Sequence, residues 1–273
     1  MSSSTGRENS VFRFGSLGGA NLSKIIFVLV AAAYFAASSF ARTAQNFQQT
    51  FPLSSGGSFT LENVNGSVHV EGWQKEEVEV KAVKVAEHNA KDAADVKIDI
   101  QSDPKRVDVR TKYPKGQGAQ VSVDYHIRVP YRVLLAGIVT VNGSVVVRGV
   151  DGSGELRSVN GNVEVVDSSG RFNEHTTNGD LRMELRKLPD GEPMAMETVN
   201  GSVSLGLPAD AQADLRMLSM NGDLYSDLPL QSQGTLSARS FHGRMGAGGG
   251  EVSVRTINGV VRVFVQQWIP RSE

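Results

Sequence analysis

The sequence contains no cysteine. Disulfides, thiolate nucleophiles, cysteine-ligated zinc and a lipoprotein anchor are therefore excluded. It also lacks an excess of either charge: 28 basic and 29 acidic residues leave a net charge of −1. Nothing in that balance attracts nucleic acid or a cation-rich partner. Its five histidines, His69, His88, His126, His175 and His242, never fall four apart or in any close pair, so the spacing predicts no metal site and no cofactor. No Gly-x-Ser-x-Gly elbow and no phosphate-binding Lys-Ser/Thr loop is present. The run Ile25 to Ala37 is apolar and free of charge, but short for a bilayer span, which needs about 20 residues.

That run follows Arg7, Arg13 and Lys24, and precedes Ser39-Phe40-Ala41, a small-x-small pattern that signal peptidases accept. Residues 1–41 are read as an export signal cleaved after Ala41. An uncleaved signal anchor and a helix of the mature fold are the alternatives, and membrane contact is expected only for the anchor. Arg42 to Gly57 is polar and rich in Ser and Gly and reads as a linker. Residues 58–269 form the main domain.

What the chain has in abundance is glycine, 29 residues, and much of it follows asparagine. Asn-Gly recurs at Asn65, Asn142, Asn160, Asn178, Asn200, Asn221 and Asn258, and His242-Gly243 stands where another copy is due. From Asn142 the steps are 18, 18, 22, 21, 21 and 16 residues. The positions six and four before this pair's first residue, and three and five after it, are apolar throughout except at Gly154, Glu174 and Ser226. Phe59, Leu61, Val68 and Val70 fill them in the first row, and Ala136, Ile138, Val145 and Val147 in the second. Intervening slots are mostly polar, as at Glu155, Arg157 and Glu164. Such period-2 alternation marks strands with one buried face.

Two positions before the pair stands Ser or Thr in every row but the first, which has Asn63. The residue just before the pair is mostly apolar (Val64, Val141, Val159, Val199, Met220, Phe241, Ile257), which suggests a bend with two buried neighbours. Asn and Gly both tolerate φ > 0, the conformation expected at such a turn. The eight residues Asn65, Asn142, Asn160, Asn178, Asn200, Asn221, His242 and Asn258 are accordingly read as structural turns, and no residue is assigned a catalytic, cofactor-binding or metal role. The other corner of each row, for example Pro189-Asp190-Gly191 or Gly248-Gly249-Gly250, carries the length variation.

Asn-Gly between alternating strands also signals a hairpin, so an antiparallel meander is compatible with the pattern. Identity down the columns favours a solenoid: stacked rungs lie about 4.8 Å apart, and like side chains can then form ladders along the axis. The fold predicted is all-β, a single-chain parallel β-helix of about 18–22-residue rungs. Residues 72–137 break the period and read as a β-rich insertion or N-terminal cap, with strands at Val78–Val85, Val96–Ile100, Val107–Thr111 and Val121–Val129 and one helical turn within Glu87–Asp95.

The strings "SFTLENVNGSVHVEGW", "HIRVP", "VTVNGSVVVRGVDGSGELRSVNGNVEVVDSSG", "TVNGSVSLGLP" and "VRTINGVVRVFV" resemble the bacterial adhesin-like β-strand-repeat family of unknown function, related to proposed auto-transporter adhesin head domains. The resemblance covers roughly Phe51 to Val265. It implies a single-chain parallel β-helix at the envelope or cell surface and no established catalytic residue.

Function is read as that of an exported non-enzymatic module of the periplasm, outer envelope or cell surface, adhesin-like or scaffolding, with envelope proteins or glycans as partners. The alternative is a polysaccharide-degrading β-helix enzyme, a glycan lyase or hydrolase. Asp180 and Asp223 share the column after Asn-Gly two rows apart, about 9.6 Å at the rung spacing, near the separation of inverting glycosidases. Trp73 follows the first row and Trp268 the last, which suits them to covering the two ends.

Overall fold

In the computed structural model, residues 43–87, 90–114, 121–189, 191–232, 237 and 239–266 are described. The segment read as an export signal and Trp268 lie outside these residues. Along the chain run β1 (Thr43–Pro52), β2 (Ser58–Glu62), β3 (Val68–Trp73), β4 (Glu77–Ala86), α1 (Ala90–Asp95), β5 (Lys97–Asp103), β6 (Arg106–Lys112) and β7 (Val121–Pro130). They continue with β8 (Leu134–Val139), β9 (Val145–Arg148), β10 (Asp151–Arg157), β11 (Val163–Asn178), β12 (Leu181–Lys187), β13 (Met194–Asn200) and β14 (Val203–Leu207). The last are β15 (Ala213–Asn221), β16 (Leu224–Ser226), β17 (Gln231–Ser232), β18 (Ser240–Met245), β19 (Glu251–Asn258) and β20 (Val261–Val265). The architecture is all-β, a solenoid-like sheet of 20 strands.

The pairing is mixed rather than wholly parallel. Strands that precede the Asn-Gly pairs stack in parallel as β2, β8, β10, β11, β13, β19 and β15, with β6 added beside β2. Those that follow the pairs stack in parallel as β3, β9, β11, β12, β14, β20 and β16, with β7 added beside β3. Antiparallel strands close both stacks: β5 on β6, β18 and β17 beyond β15, and β4 and β1 beyond β7. The break in period at residues 72–137 thus supplies a rung, through β6 and β7, and its antiparallel covers.

Three sequence expectations change. The segment read as a linker contains β1, an antiparallel partner of β4, because Phe47 and Phe51 pack against the core and the backbone continues the sheet. Ala136 is exposed and Leu135 takes its inward place, because the register with β2 shifts by a bulge between Phe59 and Thr60. Rungs also stack out of chain order. β19 lies between β13 and β15, so the rung of Asn258 is inserted between those of Asn200 and Asn221.

The interior is largely aliphatic, with Phe59, Tyr125 and Phe172 as its largest side chains. Val145, Val147, Val163, Val165, Leu181, Met183, Val203, Leu205, Val261 and Val263 are at most 1% exposed, and they alternate with outward residues along each strand. Gly154 interrupts this series because a Cβ there would lie 2.8 Å from the Phe172 ring, which fills the space from the next rung.

Candidate functional site

The Asn-Gly corner is a set of superposed columns. Asn142, Asn160, Asn178 and Asn200 each donate from Nδ2 to Oδ1 of the preceding asparagine, at 2.8 Å, beginning at Asn65. The ladder continues through Asn258, which donates to Asn200 at 2.7 Å, and ends with Asn221, which donates to Asn258 at 2.8 Å. His242 takes no place in it. It lies inside β18, opposite Arg216 on the antiparallel neighbour β15, because that segment folds back as an end cover instead of forming a rung.

The glycine after each asparagine is required by close approach and not, as the turn chemistry suggested, by positive φ. In this column only Gly66 has φ > 0. A Cβ on Gly143, Gly161, Gly179, Gly201, Gly259 or Gly222 would sit 1.9–2.2 Å from the carbonyl oxygen of the glycine on the adjacent rung. No side chain fits there without moving backbone. The same carbonyls accept the buried hydroxyls two positions before the pair: Thr140 to Gly66, Ser158 to Gly143, Thr176 to Gly161, Thr198 to Gly179, Thr256 to Gly201 and Ser219 to Gly259, at 2.8–3.0 Å. Hence the Ser/Thr column, which satisfies buried acceptors between rungs. In the first rung Asn63 takes this role, donating to Gly66 and Val123 carbonyls. The apolar residues between hydroxyl and asparagine point outward: Val64, Val159 and Met220 are 37–47% exposed. The expected pair of buried neighbours is replaced by ordinary alternation.

Asp180 belongs to a second ladder. Its backbone N–H donates to Asn162 Oδ1 at 2.9 Å, and its own Oδ1 accepts from the Ser202 N–H at 2.7 Å. The inserted rung of Asn258 also moves Asp180 and Asp223 three rungs apart. At about 4.8 Å per rung that is about 14 Å, beyond the roughly 6.5–9.5 Å that a water-activating carboxylate pair uses. The carboxylate pair that the repeat spacing suggested is lost through rung order alone.

A groove of about 430 Å³ lies on the outward face of β3, β4, β7 and β9. His69 on β3 and His126 on β7 are register partners, and their rings approach to 5.1 Å between centroids. The histidine spacing gave no sign of this, since 57 residues separate them in the chain. Only the parallel pairing of the inserted β7 with β3 brings them together. Beside them, Glu79 is buried on an exposed face because its partners reach it: Arg128 donates to Oε2 from Nε at 2.7 Å and also from Nη2, Lys81 lies 3.2 Å away, and Gln48 donates to Oε1 at 3.0 Å. Burial pushes its carboxyl up, but the hydrogen bonds from Arg128 and Lys81 outweigh that and hold it below the usual range. Burial also pushes the His69 imidazolium down, with His126 adding to it and Asp124 and Glu164 opposing. Trp73 is partly exposed rather than an end cover: Arg128 stacks 4.5 Å from its ring and Lys75 4.8 Å. Glu71 and Arg148 complete the groove and line a neighbouring cavity of about 270 Å³ with Tyr131, Asp151 and Arg186.

The Asn-Gly rungs now have a known counterpart. Residues 135–263 match the Toastrack DUF4097 family model. The matched segment starts in β8 and ends in β20, so it covers the rungs from Asn142 to Asn258. It leaves β1 to β7 outside, and with them His69, Lys81, His126 and Arg128. Among solved structures, a proposed cell adhesion protein from Clostridium sporogenes is 9% identical with a TM-score of 0.45, over 81% of this chain and 100% of its own. A proposed adhesin from Bacteroides fragilis is 7% identical with a TM-score of 0.31, over 80% and 97%. A proposed lipid-binding protein from Parabacteroides distasonis is 7% identical with a TM-score of 0.29, over 82% and 97%. No curated protein matches the chain.

Proposed function

We propose that the chain is an exported, non-enzymatic binding module of the cell envelope or surface, adhesin-like in character. Its rungs act as a single-chain parallel β-helix that holds outward side chains in fixed rows. One observation carries this reading. Across the face formed by the strands after Asn-Gly, an outward row runs in register through Lys81, His126, His69, Val146, Glu164, Arg182, Ser204 and Arg262, polar at every level but Val146. Adjacent strands along this row are one spacing apart, about 4.8 Å. A ruled polar surface of this kind suits many weak contacts to an extended partner, a glycan or another envelope protein. The ladder asparagines and Asp180, which the sequence singled out, are engaged in holding rungs together.

Saturable binding of the chain to purified cell-wall glycan, outer-membrane fractions or matrix proteins is the expected result. The double substitution Arg182→Gln with Arg262→Gln should weaken it with little change in melting temperature. Fractionation should find the protein outside the cytoplasm. A cytoplasmic location, or no binding to any of the three, defeats the reading.

A further inference from the structure

We propose that His69 and His126 form a binding site for a divalent late transition-metal ion, on an exposed sheet face outside the Toastrack segment. The two side chains project from the same face of adjacent parallel strands, in direct register, with ring centroids 5.1 Å apart and planes tilted by 32°. Two imidazole nitrogens on one ion, each at about 2.0–2.1 Å, lie at most about 4.2 Å apart, which a small rotation of exposed rings supplies. The backbone has already brought the ligands together, so little ordering is left for the ion to impose.

The cations of the groove each stand against a carboxylate. Lys81 and Arg128 are both engaged by Glu79, and Arg128 also stacks on Trp73. The carboxylates of Asp124 and Glu164 act on His69 against burial and His126, and Arg148, the third cation of the groove, is paired in register with Glu71. Glu71 flanks the pair on β3. Unprotonated imidazole nitrogens are donors to a cation, and imidazole donors select copper, nickel and zinc over calcium or magnesium. Among the described residues no group of three or more His, Asp and Glu side chains is placed to hold a metal. The ion would therefore keep open positions for water or for a donor from a bound partner.

The test titrates the full chain, carrying no affinity tag, with copper(II), nickel(II) and zinc(II) salts. Calorimetry reads stoichiometry and affinity, and electron paramagnetic resonance of the copper form reads nitrogen ligation. One ion per chain with two nitrogen ligands is expected. His69→Gln and His126→Gln should each lower affinity at least about tenfold, since even outer-shell partners of metal ligands cost about 10–100-fold. Both side chains are exposed, and unchanged urea unfolding of the variants confirms that the fold is retained. His175→Ala, on the other stack of strands beside Glu197, should leave binding unchanged. Absence of binding in the native chain overturns the proposal. So does undiminished affinity in both glutamine variants, or an equal loss in His175→Ala.

Discussion

At the asparagine corner, successive rungs superpose group on group, with one amide, one glycine carbonyl and one hydroxyl repeated at each level. At the opposite corner the connections share no pattern. Close approach recurs there locally, as where a Cβ on Gly170 would lie 1.9 Å from the Gly152 carbonyl oxygen, and then lapses at Gly191, which has nothing within 4 Å. A corner whose side chains and carbonyls bond to the rung above and below is bound to the same residue types at every level. A corner that meets mostly solvent can vary in length and composition.

The sharpest way to break this comparison is to add one methyl group at each corner. Gly179→Ala places a Cβ 2.2 Å from the Gly161 carbonyl oxygen and should cost at least about 3 kcal/mol by urea unfolding. Gly191→Ala meets open space and carries only the strain of its φ of 75°, about 1 kcal/mol. Equal losses would show that the two corners are not built differently.

Between the corners, on β11, Glu174 interrupts an otherwise apolar column. It is 2% exposed, lies between Leu156 and Met196 on adjacent rungs, and neither carboxyl oxygen has a hydrogen-bond partner. Burial, with Glu164 adding to it, pushes its pKa well above the usual 4.5. The folded chain therefore keeps this proton to higher pH than the unfolded chain does. Its contribution is intact below pH about 4.5 and is lost as pH rises towards the folded-state pKa. Glu174→Leu should raise stability by about 2 kcal/mol at pH 7.5 and by clearly less at pH 4.5. A variant equally or less stable at pH 7.5 would mean that the carboxyl has a partner.

Smaller effects return to the asparagine corner. Thr176→Val keeps the shape but removes the 2.9 Å bond to the Gly161 carbonyl, and should cost about 1 kcal/mol. Asp180→Asn keeps an oxygen for the Ser202 N–H, as Asn162 does for Asp180 itself. It should stay within about 0.5 kcal/mol. A larger loss would give the Asp180 charge a role that the ladder does not require.

The inward columns were legible because alternation is local: each valine's neighbours in the chain decide which face it takes. Leu135 and Ala136 exchanged places where a bulge shifted the register by one residue, a change that alternation alone does not mark. The Ser/Thr and glycine columns were visible as patterns, while their reason, the carbonyl of the next rung, was not. The histidine pair had no local signal, since its members belong to strands that meet only because an insertion pairs with the first rung.

By itself the sequence determined most of the inward-facing columns and the seven Asn-Gly corners, with a hydroxyl two positions before all but the first, because these depend on residues within a few positions of one another. The tertiary structure alone decided the order of rungs, the placement of Asn258 between Asn200 and Asn221, the exclusion of His242, and the meeting of His69 with His126. The physical reason is the repeat itself. Rungs that present the same amides, carbonyls and valines are interchangeable neighbours as far as local chemistry can tell, and only the packing of the whole chain, with its antiparallel covers at either end, selects one stacking order.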